Sequence, residues 1–477
     1  MTSLKIKIIA ALSLLSACAT VPASDSTLSL RALPSIEQEK AIGRNALPSL
    51  VASLGGSYRR GDLEEFLEGI AARLAPFADL PPEHSNISVT VLDTAEPNAF
   101  AVIGGELLVS RGMVAYANSV DELAGVIAHE LGHVGARHTA QRLVRRDLFS
   151  REIAALQGAE DARNEQQQKL DEFLRFSREQ ELEADRLGVR ILADAGYDPT
   201  AFASLLGRLS AYDQNRLQSI GVTRSEIAER VLASGYPQTS ERFAAIESVM
   251  PEISPLQRPR EQDALMAQID GLSYERKLGR TFIRDGMLWN PFEQTVFEVP
   301  EDFVAVPGKR IMLVASNGAV FSRSDAKPRP DAELTEAFSA LLSRGVMRSI
   351  DSFEVNGIKG VRGTGVLDPS RNPSVIRLAV FETGRKWHAI AQINEFFESE
   401  GSSETFDKMI RSFRRVGPGE LASERRFRTR RVQPDETVSS LIAGSAFDEN
   451  AETDFRLLNG LREGEDVIAG QWIKLVQ

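Results

Sequence analysis

Three of the five histidines of this chain lie within ten residues of one another, and two of them stand in the sequence His129-Glu130-Leu131-Gly132-His133. Residues four apart share one face of a helix, so this spacing directs both imidazoles at one point. Imidazole nitrogens are common ligands of zinc. Glu130 is then close enough to reach a water on that metal, as a general base for hydrolysis must be. The alternative is a chance match with both histidines on a solvated helix face.

A catalytic zinc needs a third protein ligand and one open coordination position. Further along, the chain reads Glu181-Leu182-Glu183-Ala184-Asp185, in which Glu181 and Asp185 share a helix face. We expect Glu181 to complete a His-His-Glu set and Asp185 to orient one ligand imidazole. Taken alone, Glu181 could also be a solvated helix charge, because Glu179 and Glu183 flank it.

The elements that must position these residues are a pair of helices. Ser119 and Glu122 form a capping-box pattern, which predicts that a helix begins just upstream of the paired histidines. A later helical pattern runs from about 166 to 195, where Gly196 and Pro199 stop it. Shorter segments predict helices over 35–43 and 62–74 and strands over 88–93 and 106–110.

Composition narrows the function classes. The 477 residues are 42% hydrophobic and 26% charged, which is typical of a folded protein with two to four domains. The net charge of −11 makes nucleic acid an unfavourable partner. A single cysteine excludes an internal disulfide and a cysteine-rich zinc module.

The N-terminal residues have the features of an export signal. Lys5 and Lys7 precede an apolar stretch that is too short to span a bilayer. The sequence Leu15-Ser16-Ala17-Cys18 resembles the lipobox of bacterial lipoproteins. This resemblance implies that the signal is removed before Cys18, which is then acylated, and Ala19 in place of an aspartate favours the outer membrane. The alternative is an ordinary signal peptide with an incidental cysteine.

The motifs of residues 35–250 resemble, in the same order and at similar spacing, those of the gluzincin metalloendopeptidases that include the CAAX prenyl proteases and the bacterial HtpX and BepA types. The resemblance rests on Asn98-Ala99-Phe100-Ala101, Ser110-Arg111-Gly112, His129 to Val134, Arg137-His138, Ser177-Arg178 and Glu181-x-Glu183-Ala184-Asp185.

The resemblance implies a zinc-dependent endopeptidase. His129, His133 and Glu181 would hold one Zn²⁺ per chain, and Glu130 would be the catalytic acid and base for a zinc-activated water. Residues 98–101, with Asn98, Ala99 and Phe100 at their head, would lie on a cleft-edge strand that pairs with an extended substrate.

One position departs from the family pattern. The segment 234–242 is similar to the family's Ser-x-His-Pro-x-Thr-x-x-Arg, with Tyr236 in place of the histidine and Arg242 at the final arginine. In some relatives that histidine lies on a loop over the metal. Tyr236 could therefore donate to a developing oxyanion, gate the site, or only pack its ring.

The other three histidines are predicted to lie outside the ligand set. His138 has the wrong helical phase for the metal, so we expect a structural role for it. His84 and His388 are far from the motifs and are predicted to be surface or packing residues.

The fold class predicted is α+β: a mainly helical zincin domain with a small sheet, then an α+β domain, then a small module. Strand-like runs at 352–355, 376–381 and 389–394 alternate with helical patterns at 332–342 and 404–413. Prolines near 255 and the Gly417-Pro418-Gly419 segment separate the parts. The predicted boundaries are 1–17 for the signal peptide, 18–34 for a tether, 35–255 for the peptidase, 262–415 for the α+β domain and 425–477 for the module.

Residues 425–477 resemble a LysM module, which has a β-α-α-β plan and often binds peptidoglycan sugars. The segments 432–441 and 468–475 carry the resemblance. A small packing module without glycan affinity is the alternative.

Taken together, the sequence predicts a periplasm-facing lipoprotein that hydrolyses misfolded or misassembled envelope proteins. The competing hypothesis is a non-proteolytic chaperone-like or cell-wall-binding scaffold, which would be expected to lose Glu130 or a ligand first. Both are present.

Overall fold

The structure is a computed structural model. It describes residues 32–84, 86–155, 162–219, 236–253, 262–278, 281–291, 293–300, 303–306, 311–315, 320–326, 334, 345–367, 374–383, 387–395, 402–417, 419–420, 424–447 and 450–477. The chain divides into two compact units. Glu275–Glu424 forms most of one unit, and the other contains the predicted metal ligands together with residues 425–477.

The unit that contains the predicted metal ligands, called the first unit below, is mainly helical. Its helices before the C-terminal segment are α1 (Ile36–Ser53), α2 (Gly61–Leu74), α3 (Arg111–Tyr116), α4 (Val120–Gly135), α5 (His138–Ala155), α6 (Ala162–Asp194), α7 (Thr200–Ser219), α8 (Thr239–Val249) and α9 (Asp263–Ile269). Together with the sheets described below, these helices make the fold class α+β, as predicted.

Helix α4 forms the centre of this unit. Every residue from Val120 to Val134 is buried, which is the pattern of a helix enclosed on all sides. Ser119 begins it, because its Oγ accepts a hydrogen bond from the amide of Glu122 at 3.2 Å. The other half of the predicted capping box is absent: the Glu122 carboxylate accepts from the amide of Asn118 at 2.6 Å and pairs with Arg208.

Helices α4 and α6 cross closely because glycine stands at the crossing on both sides. A Cβ on Gly188 would lie 2.9 Å from the backbone of His129, and a Cβ on Gly132 would lie 3.2 Å from Leu187. Any larger residue at Gly188 would push the two helices apart. The glycines therefore let α6 carry its carboxylates up to the histidines of α4.

A three-stranded sheet covers the other side of α4. It has the order β1-β3-β2, with β1 (Val89–Leu92) parallel to β3 (Leu107–Ser110) and β2 (Ala99–Ala101) antiparallel to β3. Strand β2 thus lies at an edge of this sheet. The two strands predicted at 88–93 and 106–110 correspond to β1 and β3.

Residues 425–477 pack into the same unit as the peptidase helices. They contain β16 (Phe427–Arg431), α11 (Val438–Ala443), α12 (Ala451–Asn459) and β17 (Trp472–Val476), and the two strands pair antiparallel. Lys474 of β17 is fully buried and donates to the carbonyls of Ala115 at 2.7 Å and Ala117 at 2.9 Å. This lysine therefore fixes the segment that joins α3 to α4.

The second unit is built on two antiparallel sheets. The larger has the order β11-β12-β13-β14-β10-β9-β8 and the smaller β15-β7-β6-β5-β4. Their strands are β4 (Arg276–Leu278), β5 (Thr281–Arg284), β6 (Met287–Asn290), β7 (Thr295–Glu298), β8 (Phe303–Val306), β9 (Ile311–Ala315), β10 (Val320–Ala326), β11 (Gly345–Val355), β12 (Ile358–Leu367), β13 (Ser374–Glu382), β14 (Trp387–Glu395) and β15 (Arg414–Arg415). Helix α10 (Ser402–Ser412) places Phe406, Met409 and Ile410 in a core with Phe297 and Phe381.

One helix prediction differs from what is observed, and another is not tested by the described residues. The helix predicted over 35–43 continues to Ser53, through Pro48. The helix predicted over 332–342 lies almost wholly outside the described residues. Within the described part of the chain, helices of sufficient length lack the hydrophobicity that a bilayer crossing requires.

Candidate metal centre

Helices α4 and α6 bring the three predicted ligands together. His129, His133 and Glu181 are buried, and each offers one ligand atom within 4.8 Å of the others. Nε2 of His129 lies 3.2 Å from Nε2 of His133 and 3.7 Å from Oε2 of Glu181, whose Oε1 is 3.6 Å from Nε2 of His133. Ligands about 2.0–2.1 Å from a tetrahedral ion lie about 3.3–3.4 Å apart. The spacing therefore fits zinc.

In both ligand imidazoles, Nδ1 has a partner outside the ligand trio, which leaves Nε2 as the nitrogen that can bind metal. Nδ1 of His129 lies 3.1 Å from Oδ1 of Asp185, and Nδ1 of His133 lies 2.8 Å from Nδ1 of His138. A neutral imidazole carries one proton, and a proton on each Nδ1 leaves both Nε2 lone pairs bare. Two bare nitrogens 3.2 Å apart repel unless a cation lies between them. This donor set fits a bound zinc ion.

Buried carboxylates make the site attractive to positive charge. Burial alone would raise the pKa of Glu181, but His133 and Arg142 hold that pKa well below its ordinary value. Burial likewise opposes protonation of His129, yet Asp185 and Glu181 raise its pKa to about 9. The site therefore holds one ionised carboxylate ligand, Glu181, at neutral pH.

Asp185 has a cationic partner on its other side. Arg242, on α8, donates from Nε to Oδ2 of Asp185 at 2.8 Å, and its Nη2 pairs with Oδ1. Burial acts to raise the pKa of Asp185, but Arg242 lowers that pKa by more, so the carboxyl stays ionised. An ionised Asp185 faces the Nδ1 proton of His129, as predicted from the four-residue spacing.

Glu130 is fully enclosed beside the ligands. Its Oε2 accepts a hydrogen bond from the amide of Ala101 at 2.8 Å. Burial raises the pKa of Glu130 to about 7. A carboxyl with this pKa can both accept and return a proton near neutral pH.

The structure places the predicted substrate strand next to the site. Ala99 and Phe100 lie on edge strand β2, and Asn98 immediately precedes it. Asn98 donates its amide to Oγ of Ser110 at 2.9 Å, which fixes the entry to the strand. Since Ala101 of β2 contacts Glu130, the edge of this sheet and the Glu130 carboxylate are neighbours.

Tyr236 lies in the same cluster. Its hydroxyl accepts a hydrogen bond from Nη1 of Arg242. Burial raises the pKa of its phenol, and the carboxylates of Glu181, Asp185 and Glu130 are near enough to contribute to that rise. Tyr236 is therefore joined to the ligand His129 through Arg242 and Asp185.

Two contacts of the site were not anticipated from the sequence. His138 contacts His133, and Arg142 donates from Nη2 to Oε1 of Glu181 at 2.6 Å. His138 is not among the three ligands, but it begins α5 after α4 has ended at Gly135, so the helical phase that we invoked does not relate it to His133. The four-residue spacing of His138 and Arg142 was the available signal.

The other predicted residues fall elsewhere. His84 and His388 are buried, at 2% and 0% exposure, so both are packing residues. Cys18 and the signal segment lie outside the described residues.

A buried His-His-Glu set on two crossing helices, with a glutamate base and an edge strand beside it, defines a zinc metallopeptidase domain. Residues 62–250 match Peptidase family M48. The segment that carries the metal site is therefore similar to this peptidase family.

Curated relatives agree with this assignment. The mitochondrial metalloendopeptidase OMA1 of Schizosaccharomyces pombe is 30% identical over 169 residues, covering 34% of this chain and 46% of the relative. The beta-barrel assembly-enhancing protease of Yersinia pestis is 27% identical over 201 residues, with 39% and 40% covered. Its Escherichia coli K12 counterpart is 28% identical over 172 residues, which cover 33% of this chain and 34% of the relative. The matched segment spans less than half the length of each of these relatives.

Proposed function

We propose that the chain is a zinc-dependent endopeptidase that hydrolyses misfolded or misassembled envelope proteins. The observation that carries this proposal is the position of Glu130. Its carboxylate lies beside the three ligands and accepts a hydrogen bond from the edge strand at Ala101. A base held between a metal site and a strand edge suits attack on an extended peptide.

His129, His133 and Glu181 would hold the zinc, which when bound supplies a Lewis acid and lowers the pKa of water. Glu130 takes a proton from the attacking water and later gives it to the leaving amine. Its position beside the ligands, where it also reaches the edge strand at Ala101, suits Glu130 to both transfers. Tyr236, whose hydroxyl accepts a hydrogen bond from Arg242, is our candidate donor to the developing oxyanion.

Strand β2 provides the binding surface for substrate in this proposal. An extended peptide that pairs with an edge strand gains main-chain hydrogen bonds independent of its sequence. Such binding suits unfolded substrates, which expose extended backbone. The relatives named beta-barrel assembly-enhancing protease support a substrate among envelope proteins.

We also propose that the protein is held by lipid on Cys18 at the periplasmic face of the outer membrane. The support is the sequence Leu15-Ser16-Ala17-Cys18 with Ala19 after it. Acyl chains anchor by burial of about 0.8 kcal/mol per methylene. Cys18→Ser should release the protein from the membrane fraction, and a variant that still pelleted after a high-salt wash would contradict this anchor.

Residues 425–477 are the candidate contact with peptidoglycan. The support is their β-α-α-β order and the sequence resemblance. Sedimentation of the whole chain with purified peptidoglycan tests this proposal, with bovine serum albumin as a protein that should stay in solution. Equal recovery of both proteins in the supernatant would overturn it.

The peptidase proposal is tested with Glu130→Gln in the full chain. We expect this variant to keep one zinc and to lose casein hydrolysis, because it removes the base without removing a ligand. Glu179→Gln is a matched control, since Glu179 is exposed on α6, two residues from Glu181. Casein hydrolysis by wild type that persists with chelator, or that survives in Glu130→Gln, would contradict the proposed mechanism.

A further inference from the structure

Helix α5 reaches two different metal ligands from outside the ligand trio. His138 Nδ1 lies 2.8 Å from Nδ1 of His133, and Arg142 Nη2 lies 2.6 Å from Oε1 of Glu181. His138 and Arg142 are four residues apart, so they stand one turn apart on the same helix face. One helix therefore contacts a ligand from α4 and a ligand from α6.

The burial of α5 is concentrated at its N-terminal turn. His138 and Ala140 are its only buried residues, and the rest of the helix is half-buried or exposed. The His138 side chain is 1% exposed and that of Arg142 is 15% exposed. Burying an imidazole and a guanidinium costs free energy unless both are partnered. If these two positions served only for packing, leucine side chains could be buried there at a lower free-energy cost.

The contacts of His138 allow a proton arrangement that leaves Nε2 of His133 free for metal. With Nε2 of His133 facing the other ligands, the proton of that ring is on Nδ1 and donates to Nδ1 of His138. His138 then carries its own proton on Nε2, which lies 3.4 Å from Oε2 of Glu183. The chain from Glu183 through His138 fixes the tautomer and the ring orientation of His133. Outer partners of this kind raise the basicity of a ligand imidazole.

Arg142 constrains the carboxylate ligand in a similar way. Its Nε donates to Oε1 of Gln180 at 2.7 Å, and Gln180 in turn donates to Gln141 at 2.9 Å. These contacts hold the guanidinium in one orientation against Glu181. A ligand whose rotamer is already fixed loses less conformational entropy when it binds metal.

We propose that His138 and Arg142 are positioning residues of the metal centre, which orient His133 and Glu181 for zinc. This inference rests on the proposed function, because it assumes that the three ligands hold zinc. His138 and Arg142 touch neither substrate nor the reacting atoms in this proposal. They act through the ligands, so their loss should appear first in metal affinity.

The test measures zinc affinity of the full chain by chelator competition, and the visible absorption spectrum after cobalt substitution. His138→Ala and Arg142→Met should each weaken zinc binding about 10- to 100-fold and alter the cobalt band. His138→Asn should retain most of the affinity, because its side-chain oxygen offers an acceptor near the position of Nδ1. Arg145→Met is the matched control on the same helix, since Arg145 is 36% exposed and pairs with Glu172.

The outcomes separate this inference from the proposed function. If wild type binds no stoichiometric zinc, the proposed function itself fails. If wild type binds zinc, and His138→Ala and Arg142→Met match Arg145→Met in affinity and cobalt spectrum, the positioning inference fails alone. A purely structural role would lower the unfolding midpoint of chelator-treated protein and make His138→Asn no better than His138→Ala, which also overturns the inference. Should His138→Ala not fold, His138→Asn and Arg142→Lys give the same comparison.

Discussion

Arg242 donates from Nε to Oδ2 of Asp185 at 2.8 Å and pairs through Nη2 with Oδ1, the oxygen that lies 3.1 Å from Nδ1 of His129. Both members of this pair are buried, at 5% and 0% exposure. One carboxylate thus links an arginine of α8 to a ligand of α4. The position of His129 depends on a residue more than a hundred positions away in the sequence.

Arg242→Met should destabilise the fold by about 3–5 kcal/mol, because it leaves Asp185 as a buried charge without a partner. Urea unfolding of chelator-treated protein measures this loss without the contribution of metal. Arg242→Met combined with Asp185→Asn should recover part of it, since the second change removes the unpaired charge. A loss below about 1 kcal/mol would show that Asp185 is compensated elsewhere.

Tyr236→Phe should lower turnover on a peptide substrate about 10- to 100-fold, with zinc content unchanged. The hydroxyl accepts from Arg242, which polarises the phenol and strengthens it as a donor to an oxyanion. Loss of one rigid oxyanion donor costs about 100- to 1000-fold in other hydrolases, and a rotatable side chain should contribute less. An unchanged rate would mean that the ring only packs, and a faster rate that the phenol blocks the site.

His84 should make the protein less stable in mild acid. Both ring nitrogens lack a hydrogen-bond partner within the described structure, and burial lowers the pKa of His84 below its ordinary 6.5. As the pH falls, the unfolded chain therefore takes up the proton at a higher pH than the folded chain does. The contribution of neutral His84 to the free energy of unfolding is present above pH 6.5 and is lost as the pH drops toward the pKa of the folded state. The loss is at most about 1.4 kcal/mol per pH unit.

The measurement is urea unfolding at pH 7 and pH 5, with His84→Phe as the comparison. The variant keeps a flat ring but cannot titrate, so it should lose less stability than wild type over this interval. Equal losses would show that His84 takes up no extra proton on unfolding.

Lys474→Met should destabilise the first unit by about 1–3 kcal/mol, because the buried carbonyls of Ala115 and Ala117 lose their donor. Lys169→Met is the control, since Lys169 is partly exposed on α6. Thermal unfolding of both variants measures the difference. Matching midpoints would indicate that water replaces the ammonium group.

Local signals predicted the elements that carry the ligands, because helix caps and periodicity act over a few residues. Ser119 begins α4, and the spacing of Glu181 and Asp185 places both carboxylates toward His129. The contact of Arg142 with Glu181 depends instead on how α5 packs against α6, because the four-residue spacing of His138 and Arg142 indicates only that they share a helix face.

The end of α1 illustrates the same limit. Gly43 is a usual stop signal, yet the helix continues through it to Ser53. A Cβ at this position would lie 1.9 Å from the carbonyl oxygen of Ile103, which explains why glycine stands there. The glycine allows close approach of two chain segments, which only the folded structure reveals.

Lys474 also sets an order of events during synthesis. The ribosome makes Ala115 359 residues before it makes the lysine that pairs with it. At about 5–20 residues per second, this interval lasts on the order of 20–70 seconds. During that time the metal helix exists without the strand that fixes its leading segment. A chain that has not yet reached Lys474 lacks the donor to Ala115 and Ala117, so we expect the segment before the metal helix to be held less firmly until β17 is added.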